Sequence, residues 1–358
     1  MSKIIHGGDV YSHPGVIDFS SNMNPFGTPE SVIRAAAEAL TSISSYPDPL
    51  CRELVTAIAD SEGSAPSQII CGNGAAELLF TYAAALKPGR ALLPAPAFAE
   101  YEQAMMSVNC HIDFYHLRVE DGFNFRQDLT DRLDPDLDLV VLCNPNNPTG
   151  LLIDPDLLTE VLRLCRLNNI RLLVDECFLD FCVEKGRSLV PYLDQYPNLF
   201  VLKAFTKKYA MAGLRLGYGL CGDTAFLEKM HGYVQPWNVS LPAQKAGIAA
   251  LQETSYLEHT MEYLAKEREW LKKELQACGL TVYDGSADYL FFKGPAGLKE
   301  SVLERKILIR DCSNYRGLVE GYYRVAIRLH DENVKLIEAM RAGANCKSNS
   351  SRQCCEQP

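Results

Sequence analysis

From residue 68 to residue 204 the chain alternates short apolar runs with helix-length stretches, and each apolar run stops where a polar motif starts. Such alternation builds an α/β domain around a mostly parallel sheet, because parallel neighbours need a crossover and the crossover helices then cover the sheet. Residues 68–71, 91–93, 137–143, 170–174 and 199–202 are the predicted strands, and 78–86 is the first crossover helix. Ligands of such sheets gather beyond the carboxyl ends of the strands. The polar motifs are therefore the candidates for function.

After about residue 240 the pattern changes to a long helix over 254–278 and then to strands near 289–293, 307–310 and 323–327, which predicts a second, smaller α+β domain. The division read from this pattern is an arm over 1–45 that joins the small domain, a large domain over 46–245, a small domain over 246–342, and a tail over 343–358. There is no internal repeat.

Composition removes several classes. A formal net charge of −10 disfavours binding a phosphate backbone, so no nucleic-acid partner is expected. No apolar run nears the roughly 20 residues that span a bilayer, and the first residues lack a signal-peptide core, so the expectation is a cytoplasmic protein with no membrane partner. Most of the 13 cysteines sit singly in apolar runs, as at Cys143, Cys165, Cys177 and Cys221, and read as buried thiols. Cys346, Cys354 and Cys355 lie in a Ser- and Asn-rich tail expected to be disordered. Adjacent cysteines are awkward joint ligands and no fourth ligand is evident, so no metal is assigned.

The motifs converge on one cofactor. Lys207 and Arg215 stand eight residues apart across a turn containing Gly213, as needed for a lysine that reaches the aldehyde of pyridoxal 5′-phosphate (PLP) and an arginine that clamps its phosphate. Asp175 ends a predicted strand, where a carboxylate can keep the pyridine nitrogen protonated. Asn144–Gly150 reads Asn-Pro-Asn-Asn-Pro-Thr-Gly and follows another strand, so that Asn147 could donate to the phenolate oxygen. Gly72-Asn-Gly74 with Ala75 and Ala76 opens a helix whose free N–H groups suit a phosphate. Phe98 could stack on the ring. Each motif alone is weak, and their order along the chain is what joins them.

On these motifs the chain resembles the fold-type I PLP enzymes of the class I and II aminotransferase group, over nearly its whole length to about residue 342. His6-Gly-Gly8, Asp18–Pro25, Tyr46-Pro-Asp48, Asp175–Phe181, Ile307–Tyr315 and Tyr322–Arg328 are similar to the branch of L-threonine-O-3-phosphate decarboxylases of cobalamin biosynthesis, whose cousins are the histidinol-phosphate aminotransferases. The resemblance implies that Lys207 is the Schiff-base lysine, Asp175 the pyridinium partner, Asn147 the phenolate donor and Phe98 the stacking ring. It implies a phosphate cradle of Gly74, Ala75, Ala76, Thr206 and Arg215, completed by Tyr46 from a neighbouring subunit of a homodimer. Arg324 would pair with the substrate carboxylate, and His6, Asn22, Asn147 and Arg310 would hold the rest of a small phosphorylated amino acid.

The chain departs from that pattern at three places. Ala204 replaces a serine, which removes one hydroxyl from the cofactor phosphate and costs roughly 0.5 to 1.5 kcal/mol. Lys208 follows the lysine where an apolar residue is usual, and Phe178 stands where many aminotransferases have a tyrosine. The implied reaction is decarboxylation of L-threonine O-3-phosphate or of L-serine O-phosphate, which differ by one methyl. The alternatives are a histidinol-phosphate aminotransferase and a PLP-binding protein without catalysis. A nicotinamide enzyme fits poorly, since Gly72-Asn-Gly74 does not extend to a G-x-G-x-x-G pattern.

Overall fold

The five central strands of the large sheet are mostly apolar and buried because helices cover both sheet faces. In a computed structural model, residues 6–182 and 188–350 are described, the last eight of them by their backbone alone. The order runs β1 (Ile17–Asp18), α1 (Glu30–Ala39), α2 (Arg52–Glu62), β2 (Ile69–Gly72), α3 (Ala75–Leu86), β3 (Arg90–Ala95), α4 (Ala99–Ser107) and β4 (His111–His116). It continues through β5 (Leu139–Cys143), α5 (Pro155–Leu167), β6 (Arg171–Asp175), β7 (Leu199–Ala204), α6 (Phe205–Lys208), β8 (Gly217–Cys221), α7 (Thr224–His231) and α8 (Leu241–Leu251). The rest is α9 (Thr254–Ala277), β9 (Thr281–Val282), β10 (Tyr289–Lys293), α10 (Leu298–Leu303), β11 (Ile307–Leu308), β12 (Arg310–Asp311), β13 (Tyr322–Ala326) and α11 (His330–Ser350).

Seven strands form the large sheet in the order β2-β8-β7-β6-β5-β3-β4, and only β8 runs antiparallel to its neighbours. The α/β fold expected from the sequence is the observed one. Register sets the site: Cys143 lies beside Asp175, and Asp175 beside Leu202, so the carboxyl ends of β5, β6 and β7 are level. Asn147, Asp175 and Lys207 follow from those three ends.

The smaller antiparallel sheet, β12-β13-β10-β9, packs on α9 and α11 around Phe19, Leu271, Tyr289, Phe292 and Ile337. The arm joins it through β1, which pairs in parallel with β11, and Phe19, whose carbonyl accepts from Ala326 N at 2.8 Å. The predicted strand over 307–310 is two short strands, β11 and β12, which belong to different sheets. The tail predicted from residue 343 is helical as far as Ser350, because extending an existing helix costs far less than starting one. Cys354 and Cys355 lie outside the described residues, as does the side chain of Cys346.

Candidate active site

The level strand ends open into a cavity of about 350 Å³ between the two sheets. Its wall brings together His6, Asn22, Ala75, Ala76, Phe98, Asn147, Asp175, Thr206, Lys207, Arg215, Arg310 and Arg324. Of the sequence-predicted residues, Gly74 underlies the wall and Tyr46 stands outside it. Tyr46 is 78% exposed and stacked on Trp237 with ring centroids 4.4 Å apart.

Lys207 sits on the single turn of α6, placed there by β7. Its Nζ is 5.9 Å from the Phe178 ring. Burial pushes its amine below the usual lysine range; Arg324 and Arg215 press the same way, and Asp288 and Cys177 oppose them. Asp175 is buried at the end of β6, where Oδ1 accepts from Cys177 N at 2.9 Å and Oδ2 from the Tyr101 hydroxyl at 2.6 Å. Burial raises its carboxyl, and those hydrogen bonds pull it back down.

The cradle at the start of α3 is shaped by backbone. Gly74 has φ +86°, and a Cβ there would come within 2.6 Å of Arg215 Nη2. A Cβ at Gly217 would strike Ala75 N at 2.5 Å. Gly217 is therefore required by the close approach of the helix's first turn, and Gly74 by its positive φ, with the Arg215 guanidinium lying against it. Arg215 is held over that turn in a left-handed conformation, φ +58°. The site-facing residue at 204 is an alanine, so among these residues Thr206 offers the hydroxyl.

Two further arginines come from the small domain. Arg324 on β13 donates through Nη2 to Ser20 O at 2.9 Å and through Nη1 to Asn147 Oδ1, while its buried Nε has no partner. Arg310 on β12 donates to Asn314 Oδ1 at 3.0 Å and lies 5.2 Å from the Tyr315 ring. Asn22 is 2% exposed, and neither its amide nitrogen nor its oxygen has a partner. His6 Nδ1 lies 3.2 Å from Glu100 Oε1, and the other oxygen of Glu100 is buried without a partner. Orphaned polar atoms on a cavity wall mark where a ligand's donors and acceptors belong.

The residues present fit PLP. The helix turn and Arg215 suit its phosphate, the buried carboxylate of Asp175 its ring nitrogen, and Phe98 its flank, with Lys207 within the same cavity. Sequence reasoning missed Tyr101 and Glu100 and placed Tyr315 beside the arginines without its contact to Asn147. Tyr101 stands three residues after Phe98 on the first turn of α4, a helical spacing that was available as a signal, and Glu100, two residues after Phe98, has no such signal. Tyr315 reaches Asn147 Oδ1 at 3.4 Å from 168 residues away, which no local signal carries. Among the described residues no cluster of three or more His, Cys, Asp or Glu could hold a metal ion, and no helix is long and apolar enough to cross a membrane.

Residues 14–339 match the family model of aminotransferase class I and II. The chain is 40% identical over 348 residues to a threonine-phosphate decarboxylase of Salmonella typhimurium, covering 94% of this chain and 95% of that one. It is 30% identical over 335 residues to a histidinol-phosphate aminotransferase of Methanothermobacter thermautotrophicus, covering 91% and 88%. The crystal structure of a histidinol-phosphate aminotransferase from Clostridium acetobutylicum superposes with a TM-score of 0.86 at 30% identity, over 91% of this chain and 98% of that one.

Proposed function

The chain belongs to the class I and II aminotransferase family of PLP enzymes, and from that premise we propose that it decarboxylates L-threonine O-3-phosphate to (R)-1-amino-2-propanol O-2-phosphate, the linker precursor of the cobalamin nucleotide loop. L-Serine O-phosphate, smaller by one methyl, would yield ethanolamine phosphate. One observation carries the reading: three arginines line one cavity, each from a different element. Arg215 answers the cofactor phosphate. Arg324 and Arg310 are then left for two more anions, which a phosphorylated amino acid supplies as its carboxylate and its phosphate.

Bound PLP supplies an electron sink for whichever Cα bond of the substrate breaks. The chain's residues decide which bond that is. Arg324, anchored by Ser20 O and Asn147 Oδ1, would fix the direction of the substrate carboxylate and so choose the Cα–carboxylate bond as the one that breaks. Asp175, held by Tyr101 and Cys177 N, would hold the cofactor's ring nitrogen and favour its protonated form. Arg310, His6 and Asn22 hold the substrate phosphate, and Phe178 and Tyr315 keep water from the reacting carbon. Lys207 Nζ returns a proton to Cα after carbon dioxide leaves.

We propose further that the working form is a cytoplasmic homodimer. Tyr46, Trp237, Ile43, Leu40 and Leu50 are exposed together near the Tyr46 turn, and a second copy covering them would bring Tyr46 to its cavity. In this reading the chain divides into an arm to residue 45, a large domain over 46–245 and a small domain over 246–342. The test is to supply purified protein and PLP with threonine phosphate, serine phosphate, or histidinol phosphate plus 2-oxoglutarate. Carbon dioxide from either amino acid supports the reading. Glutamate formed from histidinol phosphate, with no carbon dioxide from the others, overturns it in favour of the aminotransferase.

A further inference from the structure

Lys207 rides on a helix of a single turn, and so short a helix satisfies few of its own carbonyls. The arm supplies the missing donors. Asn24 N donates to Lys207 O at 3.1 Å, Asn24 Nδ2 to Lys208 O at 3.0 Å, and Thr28 Oγ1 to Ala210 O at 2.8 Å. Asn24 is 3% exposed and is itself held on every side. Its Nδ2 also donates to Thr260 Oγ1 of α9 at 2.9 Å, and its Oδ1 accepts from Phe26 N at 3.1 Å. A buried amide with all its polar atoms engaged has one position available to it.

A few residues earlier the same segment holds another part of the cavity wall. Ser20 O accepts from Arg324 Nη2 at 2.9 Å, and Ser20, Ser21 and Asn22 line the cavity together with Arg324 and Lys207. The segment is tied to the small domain as well, through Phe19 N to Leu308 O and Ala326 N to Phe19 O, each at 2.8 Å. A short stretch of arm from Phe19 to Asn24 thus joins the strand that carries Arg324 to the turn that carries Lys207. Asn24 stands behind the cavity wall, so its effect on the site passes through that turn.

We propose that Asn24 is a positioning residue, which holds the backbone of Lys207 in fixed register with Arg324, so that Nζ meets the carbon whose carboxylate Arg324 directs. The inference rests on the decarboxylase reading for the step concerned. In that step the Cα–carboxylate bond breaks, carbon dioxide leaves, and the electron pair left behind takes a proton from Nζ to form a C–H bond; water then restores the proton to the amine. Proton transfer depends steeply on the placement of donor and acceptor. A turn released from Asn24 therefore slows this step, while the hold on substrate, which belongs to Arg324, Arg310, His6 and Asn22, is kept.

The test compares PLP-loaded wild type with Asn24→Ala and Thr260→Val. Both variants break the Asn24–Thr260 hydrogen bond, and only the first also releases Lys208 O. Rates are counted per bound PLP, and the visible circular dichroism of bound PLP, which senses how the chain holds it, is recorded without substrate. Asn24→Ala is expected to lower kcat by about tenfold to a hundredfold at unchanged KM and to weaken the dichroism. Thr260→Val is expected to lower Tm and to leave kcat and the dichroism as they are. Equal effects of the two variants overturn the proposal, since Asn24 would then serve packing on α9. A folded Asn24→Ala with kcat or dichroism unchanged, or with its loss in KM alone, overturns it as well. Should Asn24→Ala not fold, Asn24→Ser is read in its place; if neither folds, the residue serves folding and the proposal fails. Wild type that makes keto acid without carbon dioxide would sink the decarboxylase reading instead, while the dichroism would still report on Asn24.

Discussion

Tyr101 donates its hydroxyl to Asp175 Oδ2 at 2.6 Å, and both groups are buried. That bond is one of three forces on the carboxylate named above: burial raises it, Cys177 N and Tyr101 lower it. A hydrogen bond to a charged buried group contributes about 1.5 to 3 kcal/mol. Tyr101→Phe should therefore weaken PLP binding by about tenfold or more and move the acid limb of the pH–rate profile upward. Fluorescence titration with PLP and a pH profile check both.

Gly74 permits Arg215 to lie over the first turn of α3. In Gly74→Ala the new Cβ displaces the guanidinium, and φ +86° with ψ 158° strains an alanine by about 1 to 3 kcal/mol. PLP affinity should fall by about tenfold or more while the fold persists. Equilibrium dialysis against PLP with circular dichroism separates the two effects.

Arg324 and Arg310 are assigned to different anions, so their conservative variants should fail differently. Arg310→Lys should mainly raise KM for the phosphorylated substrate, about tenfold. Arg324→Lys, which loses the planar fork that sets the carboxylate's direction, should lower kcat by about a hundredfold and release some keto acid. Steady-state kinetics with product analysis distinguishes them; identical profiles would remove the division of labour.

Beneath the site, buried Lys203 bonds both oxygens of Glu62 at 2.9 and 3.0 Å, and Tyr218 OH bonds Glu62 at 2.6 Å. Asp180, Glu62 and Glu176 together hold the Lys203 amine well above the usual lysine range, despite burial. Burial pushes Glu176 up to about 7. Lys203→Met strands these carboxylates and should cost about 3 to 5 kcal/mol. Without the cation the Glu176 carboxyl, already raised, climbs further above its unfolded value, so the variant loses stability as pH rises through that range. The deficit in urea unfolding should be larger at pH 8 than at pH 5.

Much of this site could be read along the chain because it sits at strand ends. Apolar runs over 137–143, 170–174 and 199–202 marked β5, β6 and β7 closely, and Asn147, Asp175 and Lys207 follow from them at short, local spacing. Tyr101 was within reach through its helical spacing from Phe98. Asn314 and Tyr315 were legible beside Arg310 in the chain, but the contact of Tyr315 with Asn147 was not, since it forms only when residues 168 apart pack together. The unpartnered state of Asp288 is likewise a property of packing, invisible in a sequence where Ser-Ala-Asp-Tyr reads as an ordinary entry to a strand.

The most direct measurement uses L-threonine O-3-phosphate labelled with carbon-13 in the carboxylate, turned over in deuterium oxide by the PLP-loaded enzyme. The account predicts one equivalent of labelled carbon dioxide and an amine that carries a single deuterium on its former Cα. A label retained in a keto acid would contradict it.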